Sequence, residues 1–230
     1  GRAFEQIRNS IGYPHLNVKI GATHAGISVG EDGATHQCLE DIGIMRTIPG
    51  MVIINPADAV EARLAVKAAI DYEGPVYLRF GRLAVPTIFG DDYKFEIGKG
   101  VEIEDGTDVT LIATGLMVPE ALEARKLLSE EGISARVLNI ATINPIDKDI
   151  IIKAANETGA IVTAEEHNIN GGLGSAVAEV LAENSPVPMQ RIGTRDVFGR
   201  SGKPAELIKL YKLDAASVAE AAKKAVSRKA

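Results

Sequence analysis

Residues 51–82 read MVIINPADAVEARLAVKAAIDYEGPVYLRFGR, and this stretch decides the class of the fold. MVIINP is a short apolar run typical of a buried strand, and VYLRFGR is a second such run after Gly74-Pro75. Between them, Asp58 is followed three residues later by Glu61, which resembles the capping pair that opens a helix, and an alanine-rich segment comes next. A strand, a helix and a strand in this order form the unit of a parallel sheet covered by helices.

The same alternation continues on both sides of this stretch. Before it, GRAFEQIRN has the apolar spacing of a helix, NVKIGAT reads as a strand, and HQCLEDIGIMRTI (36–48) again has helical spacing. Residues 83–106 are rich in turn residues and predict a connector with one or two edge strands. After it, four apolar runs alternate with helical segments, and two helices finish the chain. We therefore predict an α/β fold of two domains, each a mainly parallel sheet flanked by helices.

The pattern also divides the chain. We predict a first domain at 1–85, a linker at 86–106 and a second domain at 107–230. The first helix starts in mid-pattern, with no capping residue before it. We therefore expect sequence upstream of Gly1 and a first domain that is incomplete at its N-terminus.

The composition excludes several classes of function. The 230 residues are 46% hydrophobic, enough for a sizeable core, and carry a formal net charge of −6. Such a chain lacks the basic face that nucleic acids and membrane surfaces need, so we expect neither as a partner, and any anionic ligand must meet a local basic cluster. A single cysteine, Cys38, permits no internal disulfide and indicates a reducing compartment, the cytoplasm. No apolar run reaches the ~20 residues of a membrane span, and the N-terminus lacks the apolar core of a signal peptide.

Two of the four histidines lie in the loop after the first strand, GATHAGISVGEDGATHQ (21–37). In open α/β sheets, ligands bind at the carboxyl ends of the strands, so His24 and His36 are candidate site residues. A histidine can donate to a phosphate when it is protonated and can accept a proton when it is neutral. The alternative is that each imidazole only caps a backbone group.

The same loop carries an acid pair, Glu31 and Asp32. The pair is either solvated or caps a helix that starts near Thr35, and for Glu31 the structural role is the better interpretation. Gly30 and Gly33 allow a tight backbone with exposed N–H groups.

Two arginines, Arg79 and Arg82, end the strand VYLRFGR at the same predicted edge of the sheet. The alternation does not decide which of them is an ordinary surface arginine. An arginine beside a histidine suits a phosphorylated substrate, because its forked donors match phosphate oxygens. This pair of residue types would supply the basic cluster that an acidic chain needs.

Two later glycine-rich loops give weaker signals. EEHNINGGLGS (165–175) matches neither a P-loop nor G-x-G-x-x-G, so we interpret it as a tight turn that packs a helix on a strand rather than as an anion site. For RDVFGRSG (195–202), a structural or interface role is as plausible as a ligand role. No C-x-x-C, H-E-x-x-H or G-x-S-x-G motif supports a zinc site or a serine hydrolase.

Taken together, the motifs closely resemble the pyrimidine-binding and C-terminal domains of transketolases. They are TH…GEDG-x-THQ…R-x-IPG…PAD-x-x-E across residues 23–61, GPVYLRFGR, N-x-x-T-I-x-P-x-D, EEH-x-x-x-GGLGSAVAE and FG-x-SGKP-x-EL. The resemblance covers essentially the whole chain. It implies transfer of a two-carbon ketol unit from a ketose phosphate to an aldose phosphate, a reaction of the pentose phosphate pathway.

The resemblance also implies a role for each candidate residue. His36 would lie beside the reactive carbon of the cofactor and bond substrate hydroxyls, as the catalytic residue. His24 and Arg82 would hold the substrate phosphate, and Asp32 would bind a substrate hydroxyl. The resemblance assigns no role to Arg79, which is interpreted as structural. Many transketolases have aspartate where this chain has Ala25, so the fine substrate preference is left open.

The cofactor implied is thiamine diphosphate with Mg²⁺ or Ca²⁺. In the family, the glutamate that activates the cofactor and the aromatics that stack on it precede the first helix, so they are expected upstream of Gly1. The diphosphate and metal belong to a separate N-terminal domain, and no metal ligand is expected here. The resemblance thus implies the C-terminal subunit of a split transketolase, or a fragment of a longer one. Such a chain is expected to be inactive alone, to need the N-terminal subunit or domain, and to form homodimers.

Three alternatives stay open at this point. Deoxyxylulose-phosphate synthases and the β subunits of 2-oxoacid dehydrogenases share the two-domain arrangement, and pyruvate decarboxylation would favour them. The third alternative is a non-catalytic assembly module. His24, Asp32, His36 and Arg82 argue against it, because a scaffold needs no such residues at strand ends.

Overall fold

The computed structural model describes residues 1–229 and confirms two α/β domains with mostly parallel sheets flanked by helices. The strands are β1 (Lys19–Ala22), β2 (Val52–Ile54), β3 (Val76–Arg79), β4 (Val101–Glu104), β5 (Val109–Ala113), β6 (Ala135–Asn139), β7 (Thr142–Asn144), β8 (Ile161–Asn168) and β9 (Met189–Thr194). The α-helices are α1 (Arg2–Gln6), which continues as a π-helical segment to Gly12, α2 (Asp41–Arg46), α3 (Ala59–Asp71), α4 (Met117–Glu130), α5 (Lys148–Thr158), α6 (Leu173–Asn184), α7 (Pro204–Leu210) and α8 (Ala215–Val226).

The first sheet contains one strand from the second half of the chain. The first sheet has the order β1-β3-β2-β7, in which β1, β2 and β3 are parallel and β7 is antiparallel to β2. The second has the order β4-β6-β5-β8-β9 and is parallel except for β4 at its edge. Because β7 belongs in sequence to the second half of the chain, that half completes the first sheet.

The central strands of the second sheet are buried on both faces, which explains why helices cover both sides of it. Val109 and Leu111 of β5 pack into a core with α4 and α8. Ile112, on the opposite face, packs with α5 and α6. Successive side chains of a strand point to opposite faces, so an apolar strand of this kind needs a helical layer on each side. The first sheet follows the same rule, with α1 and α2 on one face and α3 on the other.

The structure corrects the predicted start of the helix that follows the two histidines and the predicted capping role of the acid pair, Glu31 and Asp32. The helix predicted over 36–48 begins only at Asp41, because the carbonyls of Cys38 and Leu39 accept hydrogen bonds from Gly26 and Asn168 and are not available to a helix. No helix starts near Thr35, so the acid pair caps none. In the connector, one strand forms, β4, within the predicted range of one or two.

The predicted capping pair is present and also fastens the connector. Asp58 caps α3 by accepting a hydrogen bond from the Glu61 N–H, at 2.8 Å. The buried Glu61 carboxylate accepts from the Ala57 N–H and also from the side chains of Tyr93 and Asn139. Tyr93 belongs to the connector and Asn139 to β6, so one carboxylate joins three parts of the chain. Burial raises the pKa of Glu61, although these hydrogen bonds act in the opposite direction.

Among the described residues, no helix is both long enough and apolar enough to cross a membrane.

Candidate functional site

The histidine loop, residues 24–37, leaves the carboxyl end of β1 and folds back on itself. Its first residue, His24, has a φ of 63°, in the left-handed region that non-glycine residues seldom adopt. Short 3₁₀ turns follow over Ile27–Asp32, with a kink at Gly30, whose φ is 85°. A side chain at Gly30 would be strained, so a glycine there lets the loop reverse direction.

Backbone hydrogen bonds bring three separate segments of the first domain to one place. The N–H of Ala25 donates to the carbonyl of Phe80 over 3.2 Å, and the N–H of Gly26 donates to that of Cys38 over 3.0 Å. His24, His36 and Arg82 each lie within two residues of these bonds. The structure therefore gathers three of the predicted site residues at the carboxyl ends of β1 and β3.

The side chains of the four predicted site residues, His24, Asp32, His36 and Arg82, are all exposed. Arg82 donates to the Val29 carbonyl from Nη1, which also lies 3.7 Å from the Glu31 carboxylate. His24 and Asp32 are exposed on the same loop, and so is His36. The Nδ1 of each imidazole lies 3.0 Å from the hydroxyl of the preceding threonine. Each Nε2 is therefore the nitrogen left for a ligand.

Arg79, three residues before Arg82, is a buried structural residue. Its Nε donates to Asp41 over 2.8 Å, and Nη2 donates to the carbonyl of Glu166 over 3.0 Å. Burial alone would lower the pKa of Arg79, but the adjacent Asp41 carboxylate raises it above its ordinary value. Burial alone would raise the pKa of Asp41, but the charge and hydrogen bond of Arg79 hold it below its ordinary value. Of the two arginines, Arg79 ends the fully buried strand β3, and Arg82, three residues beyond it, is exposed.

Gln37 was not singled out from the sequence, although it follows His36 directly. Its side chain is 5% exposed, and Nε2 donates to the carbonyls of Ile27, Gly30 and Arg200. The loop 195–202, whose role the sequence left open, therefore packs on the histidine loop. The hydroxyl of Ser201 adds a bond to the Glu31 carbonyl over 2.6 Å.

Two consecutive buried glutamates at the end of β8 have different roles. Glu165 accepts hydrogen bonds from the N–H groups of Leu173 and Gly174 and so occupies the N-terminus of α6. An internal carboxylate thus fills the place where an anion could bind in the loop 165–175. Glu166 instead accepts from the Ser28 N–H of the histidine loop over 2.6 Å. The sequence does contain a signal for these two glutamates, because they lie in the apolar run AIVTAEEH. A charge buried in such a run requires hydrogen-bond partners.

The donor set tests which ligand this chain can hold. Among the described residues, no group of three or more His, Cys, Asp or Glu side chains could hold a metal ion. The two imidazoles and the carboxylate of the loop, together with the guanidinium of Arg82, are groups that can bond hydroxyl and phosphate oxygens.

Comparison with known families accounts for almost the whole chain. The family model for the pyrimidine binding domain of transketolase matches residues 1–87. The model for the transketolase C-terminal domain matches residues 98–218.

Individual proteins are similar over the same extent. A Methanocaldococcus jannaschii protein described as a transketolase C-terminal section is 53% identical over 96% of this chain and 70% of its own length. One of the subunits of the apulose-4-phosphate transketolase of Phocaeicola vulgatus is 45% identical over 96% of this chain and 71% of its own length. A 1-deoxy-D-xylulose-5-phosphate synthase of Geobacter sulfurreducens is 38% identical over 96% of this chain, which spans 35% of that enzyme.

A solved structure agrees with these comparisons. The inactive β4 tetramer of a split-gene transketolase has a TM-score of 0.95 and 51% identity, covering 100% of this chain and 74% of that one.

Proposed function

The chain belongs to the transketolase family, and from this premise we propose that it is the C-terminal subunit of a split transketolase that transfers a two-carbon ketol unit from a ketose phosphate to an aldose phosphate. The observation that carries the proposal is the histidine loop, with two imidazoles, a carboxylate and Arg82 exposed together beside β1 and β3. Relatives named as a section and as a subunit of transketolase support the split arrangement.

Substrate binding is assigned to the cationic side of this loop. We propose that His24 and Arg82 hold the phosphate group of the sugar. The Arg82 side chain is 41% exposed and, among the described residues, makes one direct hydrogen bond, from Nη1 to the Val29 carbonyl, so Nε and Nη2 are left for a ligand. A guanidinium beside an imidazole offers donors that match the oxygens of a phosphate.

Proton handling is assigned to His36, and hydroxyl recognition to Asp32. With Nδ1 of His36 beside the Thr35 hydroxyl, Nε2 is free to bond a substrate hydroxyl and to accept or return its proton. Asp32 carries an acceptor-only carboxylate that suits a sugar hydroxyl. These residues orient the substrate and move protons. Thiamine diphosphate supplies the carbon nucleophile when it is bound in the assembled enzyme.

The remaining components are proposed to come from a partner. An N-terminal subunit would bind the diphosphate and its Mg²⁺ or Ca²⁺, because the described residues of this chain contain no suitable cluster. Homodimerisation of the C-terminal subunit would place two such sites in one assembly. The chain alone is then expected to be inactive.

One alternative keeps specific support. The similarity to a deoxyxylulose-phosphate synthase leaves open condensation of pyruvate with an aldose phosphate in place of ketol transfer. The two reactions differ in donor, so a substrate panel separates them.

The test uses the full-length chain combined with its N-terminal subunit, thiamine diphosphate and Mg²⁺. We expect ketol transfer from xylulose 5-phosphate to ribose 5-phosphate by the mixture, and none by either chain alone. Turnover with pyruvate as the donor would favour the alternative. Among other ketose phosphates, apulose 4-phosphate is included because a relative is named for it.

Variants then test the residue roles. Arg82→Met is expected to raise KM for phosphorylated sugars about 10- to 100-fold, the worth of one charge-assisted hydrogen-bond pair, and to leave KM for an unphosphorylated ketose unchanged. His36→Ala is expected to lower kcat. Arg63→Met, at an exposed position on α3, is the matched control. An unchanged KM in Arg82→Met would contradict its phosphate role.

A further inference from the structure

We propose that Glu166 of the second domain is a positioning residue for the histidine loop, and that the second domain thereby sets the geometry of the substrate site. This inference rests on the proposed function, because it assigns the loop to substrate binding. Glu166 lies in β8, whereas the loop belongs to the first domain. The two are 138 residues apart in sequence at the contact with Ser28.

The contact holds the start of the loop. Glu166 Oε1 accepts the Ser28 N–H over 2.6 Å, two residues after the bond between Gly26 and Cys38. Gly26 has a φ of 90°, and a side chain there would overlap the Glu166 carboxyl group. The loop backbone therefore passes directly over this carboxylate, at a place where only glycine fits.

Glu166 acts through the loop and not on the substrate. Its side chain is 3% exposed, while the four proposed substrate residues are exposed. Its backbone carbonyl accepts from Arg79, which is paired with Asp41. Burial raises the pKa of Glu166, and the positive charge of Arg79 acts in the opposite direction.

A second contact holds the end of the loop to the same domain. Gln37 donates to the Arg200 carbonyl over 3.0 Å while it also bonds the carbonyls of Ile27 and Gly30. Asp32 and His36 thus lie between two anchors that both come from the second domain. A loop that is fixed at both ends loses less conformational entropy when the substrate binds, which lowers KM.

The experiment compares truncation of two adjacent glutamates in the assembled complex with the N-terminal subunit. Glu166→Ala leaves the Ser28 N–H without its acceptor, and we expect KM for sugar phosphates to rise about tenfold. Glu165→Ala is the matched control, because Glu165 is equally buried and also accepts backbone N–H groups, but only within its own domain. Glu166→Gln keeps an oxygen for Ser28, and we expect its KM to stay within about threefold of the wild type.

Deuterium uptake by peptides covering residues 26–37 gives a readout that does not depend on activity. We expect faster uptake in Glu166→Ala alone. A rise of KM and of uptake confined to that variant would support the proposal. Equal KM increases in both alanine variants, or unchanged uptake in Glu166→Ala, would overturn it.

Failure of the proposed function is distinguishable from failure of this inference. It would appear as the absence of ketol transfer by the wild-type complex. In that case uptake alone decides: faster exchange confined to Glu166→Ala supports the positioning role, and equal exchange in the two alanine variants refutes it.

Discussion

Replacing Asp58 with alanine should destabilise the chain far more than the loss of an ordinary helix cap. The Asp58 side chain, 3% exposed, accepts three backbone N–H groups: that of Glu61 at 2.8 Å and those of Ile88 and Phe89 at 2.7 and 2.9 Å. The cap is worth about 1 kcal/mol, and each further N–H left without a partner costs about 1 kcal/mol more. The expected loss is therefore about 3 kcal/mol.

Asp214 provides the matched control, because among the described residues its side chain accepts one hydrogen bond, from the Ser217 N–H at 3.1 Å, which caps α8. Asp214→Ala should cost about 1 kcal/mol. Urea unfolding followed by circular dichroism measures both losses, and in thermal scans they correspond to about 6–12 °C and 2–4 °C for a chain of this size. Asp58→Asn should recover only part of the loss, because Glu61 bonds one oxygen of the carboxylate and Ile88 and Phe89 bond the other, whereas an amide has a single acceptor oxygen. If Asp58→Ala cost no more than Asp214→Ala, the bonds to the connector would contribute nothing and the reasoning would be wrong.

Two further predictions concern buried charges. Burial raises the pKa of Glu61 above its ordinary value near 4.5, so the folded chain holds this proton more tightly than the unfolded chain. The free energy of unfolding should therefore fall as pH rises from that value through the raised pKa. Urea midpoints measured from pH 4 to 8 should fall less steeply in Glu61→Gln than in the wild type. An equally steep fall in that variant would rule out Glu61 as a source of the pH dependence. Arg79→Met should lower the free energy of unfolding in urea by about 3–5 kcal/mol, because it leaves the buried Asp41 without its counter-ion. The double variant Asp41→Asn/Arg79→Met should recover part of that loss. A double variant as unstable as the sum of the two single variants would show that the two side chains are not coupled.

The functional site combines residues that differ in how far sequence could identify them. His24 and His36 were candidates because imidazoles at strand ends suit a phosphorylated substrate, whereas Asp32 and the choice of Arg82 over Arg79 came from the resemblance to transketolases. The roles of all four stay predictions until the variants are assayed. Gln37 was passed over because an uncharged amide in a loop has no signature in sequence.

By itself, the sequence determined the fold class and the position of the candidate loop. Apolar runs with a period of two or of 3.6 depend only on neighbouring residues, so the alternation of strands and helices was readable, as was the capping pair at α3. The predicted domain limits rest on the same local signals and stay a prediction. In the structure, β7 comes from the second half of the chain but pairs with β2 of the first sheet, so no single cut in the sequence separates the two sheets.

Only the tertiary structure decided what holds the loop. The extended backbone at 38–39, where a helix was predicted, exists because Gly26 and Asn168 compete for its carbonyls. The contact between Glu166 and Ser28 likewise spans two domains. Interactions between residues more than a hundred positions apart leave no periodic trace in the chain, because they depend on how the two sheets pack, and it is this packing that fixes the shape of the site.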